Sequence, residues 1–129
     1  MNYMKNTSTI KKNGEFLRVY KKGKRFSGRV LVLYVLKNQG TENADINFIG
    51  ITASKKTGNS VKRNRLKRLV RENYRFFERF LFTGYRLVFV LREVEETPDY
   101  RVFTREMKYL FNKAKVLDCE KWAKRLQLS

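Results

Sequence analysis

The chain has 129 residues, with 30 lysines and arginines against 12 acidic residues, a formal net charge of +18 at pH 7, one cysteine and no histidine. This length suits one domain with a core of its own. The lack of histidine removes the commonest general base and metal ligand, and Cys119 alone excludes an intramolecular disulfide and a multi-cysteine metal site. The excess positive charge indicates a polyanionic partner, with nucleic acid favoured over an anionic membrane surface.

No stretch is apolar over the roughly 18 residues that a membrane-spanning helix needs. The longest apolar run, Val30 to Leu36, has the length of a strand. The N-terminal stretch MNYMKNTSTIKK lacks the apolar centre of a secretory signal. We therefore expect a cytoplasmic protein without a membrane role.

Residues 1–10 are polar and without pattern, which predicts a mobile tail. A short helix should follow, with Asn13 as its N-cap and Gly23 as the residue that ends it. The apolar side of this helix would carry Phe16, Leu17 and Tyr20.

Two β-type runs come next, Arg29 to Gly40 and Asp45 to Ser54, and both are rich in β-branched and aromatic residues. The polar stretch between them, Lys37 to Ala44, predicts that the two strands pair as antiparallel neighbours. The residues from Lys24 to Ser27 predict a further strand at the edge of the sheet.

A loop sequence, Lys55 to Ser60, leads into a long second helix that Asn59 or Ser60 can cap. The apolar residues of this helix recur at helical spacing, and the helix should end before Gly84. Tyr85 to Leu91 predicts a strand, so that strand, helix and strand form a crossover with a parallel pair. The core stripe of the helix consists of Leu66, Leu69, Val70, Phe77, Phe80 and Leu81.

An acidic loop, Glu93 to Asp99, separates that strand from a third amphipathic helix. Asp118 is placed to cap a last short helix that carries Trp122 and Leu126. We therefore expect a single domain over residues 1–129, with residues 118–129 as a short helical extension. The apolar positions of the third helix are Val102 or Phe103, Met107, Leu110, Phe111 and Ala114.

The positive charge is concentrated in two segments. Residues 1–29 hold nine basic and one acidic residue, and residues 55–79 hold ten basic and two acidic, so each segment carries a net charge of +8. A solvated face is the usual reason for charge on an amphipathic helix, but like charges three and four residues apart destabilise a free helix. The pattern therefore favours a polyanion-binding surface. On a helical wheel the residues opposite the core stripe are Asn64, Arg68, Arg71, Arg75 and Arg79.

Three aromatic residues, Phe16, Tyr20 and Tyr34, belong to the same half of the chain and offer rings on which unpaired bases can stack. The pattern alone favours the alternative that all three are core residues. No recognition-helix pair, zinc spacing or zipper indicates a DNA-reading module.

The segment GNSVKRNRLKR, residues 58–68, resembles the arginine-asparagine-arginine signature of the protein subunit of bacterial ribonuclease P. The preceding IGITASKK and the opening KKNGEFLRVYKKGKR are similar to that family in the same order, and the resemblance covers about residues 10 to 116. The chain departs from the family pattern at Asn47, where a basic residue is frequent, and at Ser60, where alanine is usual.

The resemblance implies an α+β fold, a two-layer α/β sandwich of the order α-β-β-β-α-β-α. Its strand–helix–strand crossover would be left-handed, against the usual rule. It implies an RNA-binding subunit of the endoribonuclease that removes the 5′ leader from precursor transfer RNA. The partners would be ribonuclease P RNA and precursor transfer RNA, with no small-molecule substrate. The catalytic groups would belong to the RNA and to magnesium ions bound mainly by it, and none to this chain.

The resemblance also assigns roles to individual residues. Lys55 and Lys56 match the basic pair ahead of the signature, and we add Arg75 because it lies on the line of arginines. Phe16, Tyr20 and Tyr34 match a cleft that holds the single-stranded leader, which reverses the preference drawn from the pattern alone. The signature positions that would contact the RNA are Lys62, Arg63, Asn64, Arg65, Lys67, Arg68 and Arg71.

Two alternatives stay open at the level of the sequence. The first is a non-enzymatic RNA-binding protein of another class, such as a ribosomal protein or an RNA chaperone. The second is a nuclease that needs no RNA, which the lack of histidine and of an evident carboxylate cluster disfavours.

Overall fold

The computed structural model describes residues 5–40, 43–94 and 96–125. A mixed five-stranded sheet forms its centre. The strands are β1 (Thr7–Thr9), β2 (Lys24–Ser27), β3 (Leu31–Lys37), β4 (Asn47–Ala53) and β5 (Tyr85–Leu91). The helices are α1 (Asn13–Lys22), α2 (Ser60–Phe77), α3 (Tyr100–Lys113) and α4 (Cys119–Lys124), with single 3₁₀ turns at Lys55–Thr57 and Glu78–Phe80.

The predicted α+β class is confirmed, and the predicted order of elements recurs from α1 to α3. The helices α2 and α3 pack together on one face of the sheet. The helix α1 lies on the other face, where it covers a smaller core, so the two-layer description is incomplete. The hand of the β4–α2–β5 crossover stays a prediction.

The expectation of a mobile tail is wrong for the part of residues 1–10 that the structure describes. β1 pairs in parallel with the first half of β4, and Ile10 beyond it is buried. The carboxylate of Glu78 accepts hydrogen bonds from the Lys5 and Asn6 amides and from the Thr7 hydroxyl. A strand of three residues is too short to show a period in the sequence, which is why the prediction missed it. Residues 1–4 lie outside the described residues.

The predicted pairing of β3 with β4 is also wrong. The strand order is β1-β4-β5-β3-β2, so β5 lies between the two strands that the sequence places next to each other. β5 is antiparallel to β3 and parallel to β4, which confirms the predicted parallel pair. The predicted edge strand is confirmed as β2, which pairs with β3 at the end of the strand order. At its position between β3 and β4, β5, which is apolar, has a partner strand on each side.

The first helix differs from its prediction in three details. It begins at Asn13, but the cap position is Lys12 and no side chain caps it. Leu17 is 54% exposed and Val19 is fully buried, because the inward face of the helix runs through positions 16, 19 and 20. Gly23 ends the helix in an extended conformation, where a Cβ would lie 2.6 Å from the Val19 carbonyl oxygen.

The other helices agree closely with their patterns. The Asn59 side chain accepts a hydrogen bond from the Lys62 amide and caps α2, and Asp118 caps α4 in the same way. All of the predicted α2 stripe is buried except Leu69, which is half-buried. Trp122 of α4 stacks on Phe77 with 5.5 Å between ring centroids. Leu126 lies outside the described residues. The predicted positions of α3 that are fully buried are Phe103, Met107, Leu110 and Phe111.

Two buried polar residues connect the sheet to neighbouring segments. The side-chain amide of Asn47 donates to the Phe82 carbonyl oxygen, and its side-chain oxygen accepts from the backbone amide of Tyr85. The Tyr74 hydroxyl lies 2.8 Å from the Thr7 hydroxyl oxygen. The two hydrogen bonds of Asn47 use both the donor and the acceptor of a neutral side-chain amide.

Burial raises the pKa of Tyr74 to about 12 from its ordinary value of 10.0, and the nearby Glu78 carboxylate adds to the shift. Hydrogen bonds with Thr7 and Asn47 oppose this shift. The folded protein holds the Tyr74 proton more tightly than the unfolded chain does. The resulting stabilisation is complete below about pH 10 and is lost as the pH rises from about 10 to about 12.

Tyr74→Phe should remove this loss, because phenylalanine has no proton to release. At neutral pH the variant should be less stable by about 1 kcal/mol, since the buried hydrogen bond between the Tyr74 and Thr7 hydroxyls is lost while Thr7 keeps its bond to Glu78. By pH 11 the wild type should have lost about 1.4 kcal/mol that the variant keeps. Urea unfolding at pH 9 and pH 11 measures both values, and equal losses in the two proteins would contradict the assignment.

Candidate nucleic-acid interface

The outward face of α2 carries the predicted line of basic residues. Asn64, Arg68, Arg71 and Arg75 are exposed, as is Arg79 in the 3₁₀ turn that follows. From Asn64 to Arg79 the line runs about 22 Å at ~1.5 Å per residue, a length comparable with several nucleotides of RNA backbone. A shallow depression along its first half is lined by Val61, Asn64, Arg65, Lys67, Arg68 and Arg71.

The start of α2 places further basic residues beside this line. Lys55 and Lys56 are exposed on the 3₁₀ turn that precedes the helix. Gly58 has φ +143°, and a Cβ there would lie 2.6 Å from Cδ of Lys62. The glycine therefore gives the chain a sharp turn into the helix and leaves room for the Lys62 stem. Lys62 and Arg63 are half-buried, and Nε of Arg63 is buried with no partner among the described residues.

Few carboxylates neutralise this surface. Within the described residues, Arg68 and Glu72 form an ion pair at 3.9 Å, with both side chains largely exposed. Such an exposed pair is weak and is screened by salt. The Arg68 guanidinium therefore keeps most of its capacity to donate to phosphate oxygens.

The three aromatic residues predicted to form a cleft come together on the opposite face of the sheet, where α1 packs, and we call this group the aromatic cleft. Tyr20 and Tyr34 meet edge to face with 4.9 Å between ring centroids, and the Tyr20 hydroxyl lies 3.3 Å from that of Thr52. Phe16 lies directly over Gly50, where a Cβ would be 2.7 Å from Cζ of the ring. All three aromatic side chains are half-buried, so each packs on the core and keeps an open face.

The structure adds residues to this cleft that the sequence did not single out. Phe48 and Val90 pack into the same core. The Arg86 guanidinium lies 4.5 Å from the centre of the Phe48 ring and donates to the Asn38 side-chain oxygen at 2.6 Å. Phe48 could have been predicted from the sequence, because side chains alternate along a strand and Phe48 therefore faces the same side of β4 as Gly50 and Thr52. Arg86 could be assigned only once the pairing of β5 was known.

The two predicted surfaces meet at the edge of β4. β1 is paired with β4 only as far as Ile49. Beyond that point a depression of about 140 Å³ is lined by Phe16 of the cleft and by Lys67 and Arg71 of α2. The helix of arginines and the aromatic cleft are thus parts of one continuous surface, although they begin on opposite faces of the sheet.

Two further observations concern sites of other kinds. Within residues 5–40, 43–94 and 96–125, no three histidine, cysteine, aspartate or glutamate side chains come close enough together to hold a metal ion. None of the helices in that part of the chain is long and apolar enough to span a membrane.

The geometry defines a class of protein: a small basic α+β domain with an arginine-lined helix joined to an open aromatic cleft. The Ribonuclease P family model matches residues 4–115 of the chain. The chain is 50% identical over 105 residues to the ribonuclease P protein component of Clostridium acetobutylicum, with 81% of this chain and 87% of that protein covered. It is 43% identical over 106 residues to the protein component of Clostridium botulinum strain Loch Maree, with coverage of 81% and 92%.

Solved structures agree with this similarity. The RNase P protein of Staphylococcus aureus superposes with a TM-score of 0.74 at 30% identity, covering 84% of this chain and 96% of that one. The RNase P protein of Thermotoga maritima gives a TM-score of 0.70 at 25% identity, covering 82% and 96%. The chain belongs to the ribonuclease P protein family, whose members are the protein subunits of the tRNA-processing ribonuclease P holoenzyme.

Arg68→Ala combined with Arg71→Ala should weaken binding to ribonuclease P RNA and flatten its salt dependence. Removal of one phosphate contact should lower the slope of log K against log salt by about 0.7 to 0.9. Lys121→Ala with Lys124→Ala on α4 is the matched control, because it removes the same charge from exposed positions outside the arginine line. Filter binding over a salt series measures the slopes, and an unchanged slope in the arginine variant would place this face away from the RNA.

Proposed function

We propose that this chain binds ribonuclease P RNA through α2 while its aromatic cleft holds the 5′ leader of precursor transfer RNA. The observation that carries the proposal is the depression where Phe16 meets Lys67 and Arg71. A leader that runs along the cleft would leave it beside the helix that grips the catalytic RNA. The protein would thereby hold substrate and ribozyme together in the cytoplasm.

The arginine line would act by electrostatics. Neutralisation of phosphates by Lys and Arg releases condensed counterions, which supplies most of the affinity for a nucleic acid backbone. The RNA-binding residues in this proposal are Lys55, Lys56, Lys62, Arg63, Asn64, Arg65, Lys67, Arg68, Arg71 and Arg75.

The cleft would act by stacking and by position. Unpaired bases stack on aromatic rings with little dependence on sequence, which suits a leader that differs from one transcript to the next. Phe16, Tyr20 and Tyr34 present half-exposed rings, and Arg86 adds a cation at the floor. Holding the leader would raise affinity for precursor over mature transfer RNA and orient the scissile bond.

Magnesium is the metal that the family implies. The described residues do not offer it a donor set, because no cluster of carboxylates is present among them. Our proposal assigns no metal ligand and no catalytic group to the described residues. Its contribution is binding and orientation, with the bond cleavage left to the RNA.

Phe16→Ala should lower affinity for precursor transfer RNA by about 1 to 3 kcal/mol and leave affinity for mature transfer RNA almost unchanged, if a base stacks on this ring. Gly50→Ala tests the same ring without altering it, since a Cβ there displaces Phe16. Both variants should therefore reduce the difference in affinity between precursor and mature transfer RNA. Equal losses for the two substrates, with a lower melting temperature, would show that Phe16 serves the core alone.

Reconstitution tests the function as a whole. Adding the protein to ribonuclease P RNA should lower the concentrations of magnesium and of precursor needed for leader removal. If the protein lowers neither the magnesium nor the precursor concentration, a ribosomal or RNA-chaperone role is favoured. Cleavage by protein free of RNA would instead indicate a protein-only nuclease.

A further inference from the structure

A second basic cavity lies at the other end of the molecule's sheet, apart from the surfaces described above. It has a volume of about 350 Å³, within the range of ~300 to 1,000 Å³ that is usual for small-ligand sites. Four lysines from three separate segments of the chain surround it, and none of the residues that line it is acidic. We call it the lysine pocket, formed by Lys22, Lys24, Lys37 and Lys115 around Phe26 and Tyr85.

The four ammonium groups have no carboxylate within ion-pair distance among the described residues. Each comes from the end or edge of an element: Lys22 ends α1, Lys24 begins β2, Lys37 ends β3 and Lys115 follows α3. Lys22 and Lys24 are close in sequence, and the fold brings Lys37 and Lys115 to them. The mutual repulsion of the four lysines is relieved when an anion enters. Lysine is a compact point charge well suited to phosphate.

The interior of the pocket is apolar and aromatic. Val35 and Leu36 contribute to its lining, and the rings of Phe26 and Tyr85 are half-buried with part of each exposed. Val35 is the strand neighbour of Tyr34, and adjacent residues on a strand face opposite sides of a sheet. Lys24, Phe26 and Tyr85 share the side of Val35, so the pocket lies mainly on the opposite side of the sheet from the aromatic cleft, and Leu36 contributes to both.

Two backbone features hold lysines at this pocket. Gly23 lies between Lys22 and Lys24, and a Cβ there would be 2.9 Å from the Val35 carbonyl oxygen, so the turn sits directly against β3. Lys115 has φ +60° and is the one non-glycine residue with positive φ in the described part of the chain. Glycine is the usual residue at such a helix end, because a Cβ is strained in this conformation. A lysine at this position gives up stability and contributes a cation.

We propose that the lysine pocket binds a nucleotide, with its phosphate among the lysines and its base against Phe26 and Tyr85. The proposal does not depend on the function proposed above. The same chemistry is offered by a free nucleotide and by an unpaired nucleotide within an RNA chain, and the experiment separates these two sources.

The test uses the full chain with adenosine diphosphate, inorganic pyrophosphate and a five-residue adenosine RNA as probes. Lys24→Ala with Lys115→Gly should weaken adenosine diphosphate binding about tenfold, as measured by calorimetry, because the variant removes two of the four cations that hold the phosphate. Lys115→Gly should at the same time raise the melting temperature, because it relieves the left-handed strain. The control Lys121→Ala with Lys124→Ala should change binding less than about twofold.

Photocrosslinking with 8-azidoadenosine diphosphate locates the bound base, and the modified peptide should contain Phe26 or Tyr85. If the lysine-pocket variant binds adenosine diphosphate more weakly and the control does not, free nucleotide is a ligand of the pocket. If the lysine-pocket variant loses affinity for the five-residue RNA and not for adenosine diphosphate, the ligand is a nucleotide within an RNA chain. Equal losses in the pocket and control variants, or pyrophosphate binding as tight as adenosine diphosphate, would overturn the proposal.

Discussion

The fold depends on one helix that must satisfy two opposed demands. α2 buries Leu66, Val70 and Phe77 against the sheet, while its outer face carries arginines that repel one another. A helix with this charge would be unstable alone, so the packing of its apolar stripe is what keeps the arginines in line. The core thus supports a surface whose charge is unfavourable until an anionic partner neutralises it.

The strand that follows α2 connects that surface to the cleft. β5 pairs along its length with both β3 and β4, and its side chains alternate between two cores. One core holds α2 and α3, and the other holds α1 with the aromatic residues. Because one strand supports both cores, the arginine line and the cleft hold fixed positions relative to each other. They meet at the depression that is lined by Phe16, Lys67 and Arg71.

The predictions that succeeded rest on local spacing. Each of these patterns depends on residues that are close in sequence: the apolar stripes of the helices, caps such as Asn59 and the ordered signature of α2. The structure agrees with them. The prediction that β3 pairs with β4 failed because it assumed that neighbours in sequence are neighbours in the sheet. The strand β1 was missed because three residues give no period, and its place depends on Glu78, which is distant in the sequence.

The sequence by itself determined the helix faces, the concentration of charge and the family signature, because each of these depends on residue type and short-range spacing. The resemblance carried by that signature implied the α+β class. Only the tertiary structure decided which aromatic rings stay half-open, that Arg86 lies beside Phe48, and that Lys24 and Lys115 share a pocket. Those outcomes depend on strand order and on contacts between distant segments. The physical reason is that burial is a property of packed neighbours, and a linear pattern does not contain them.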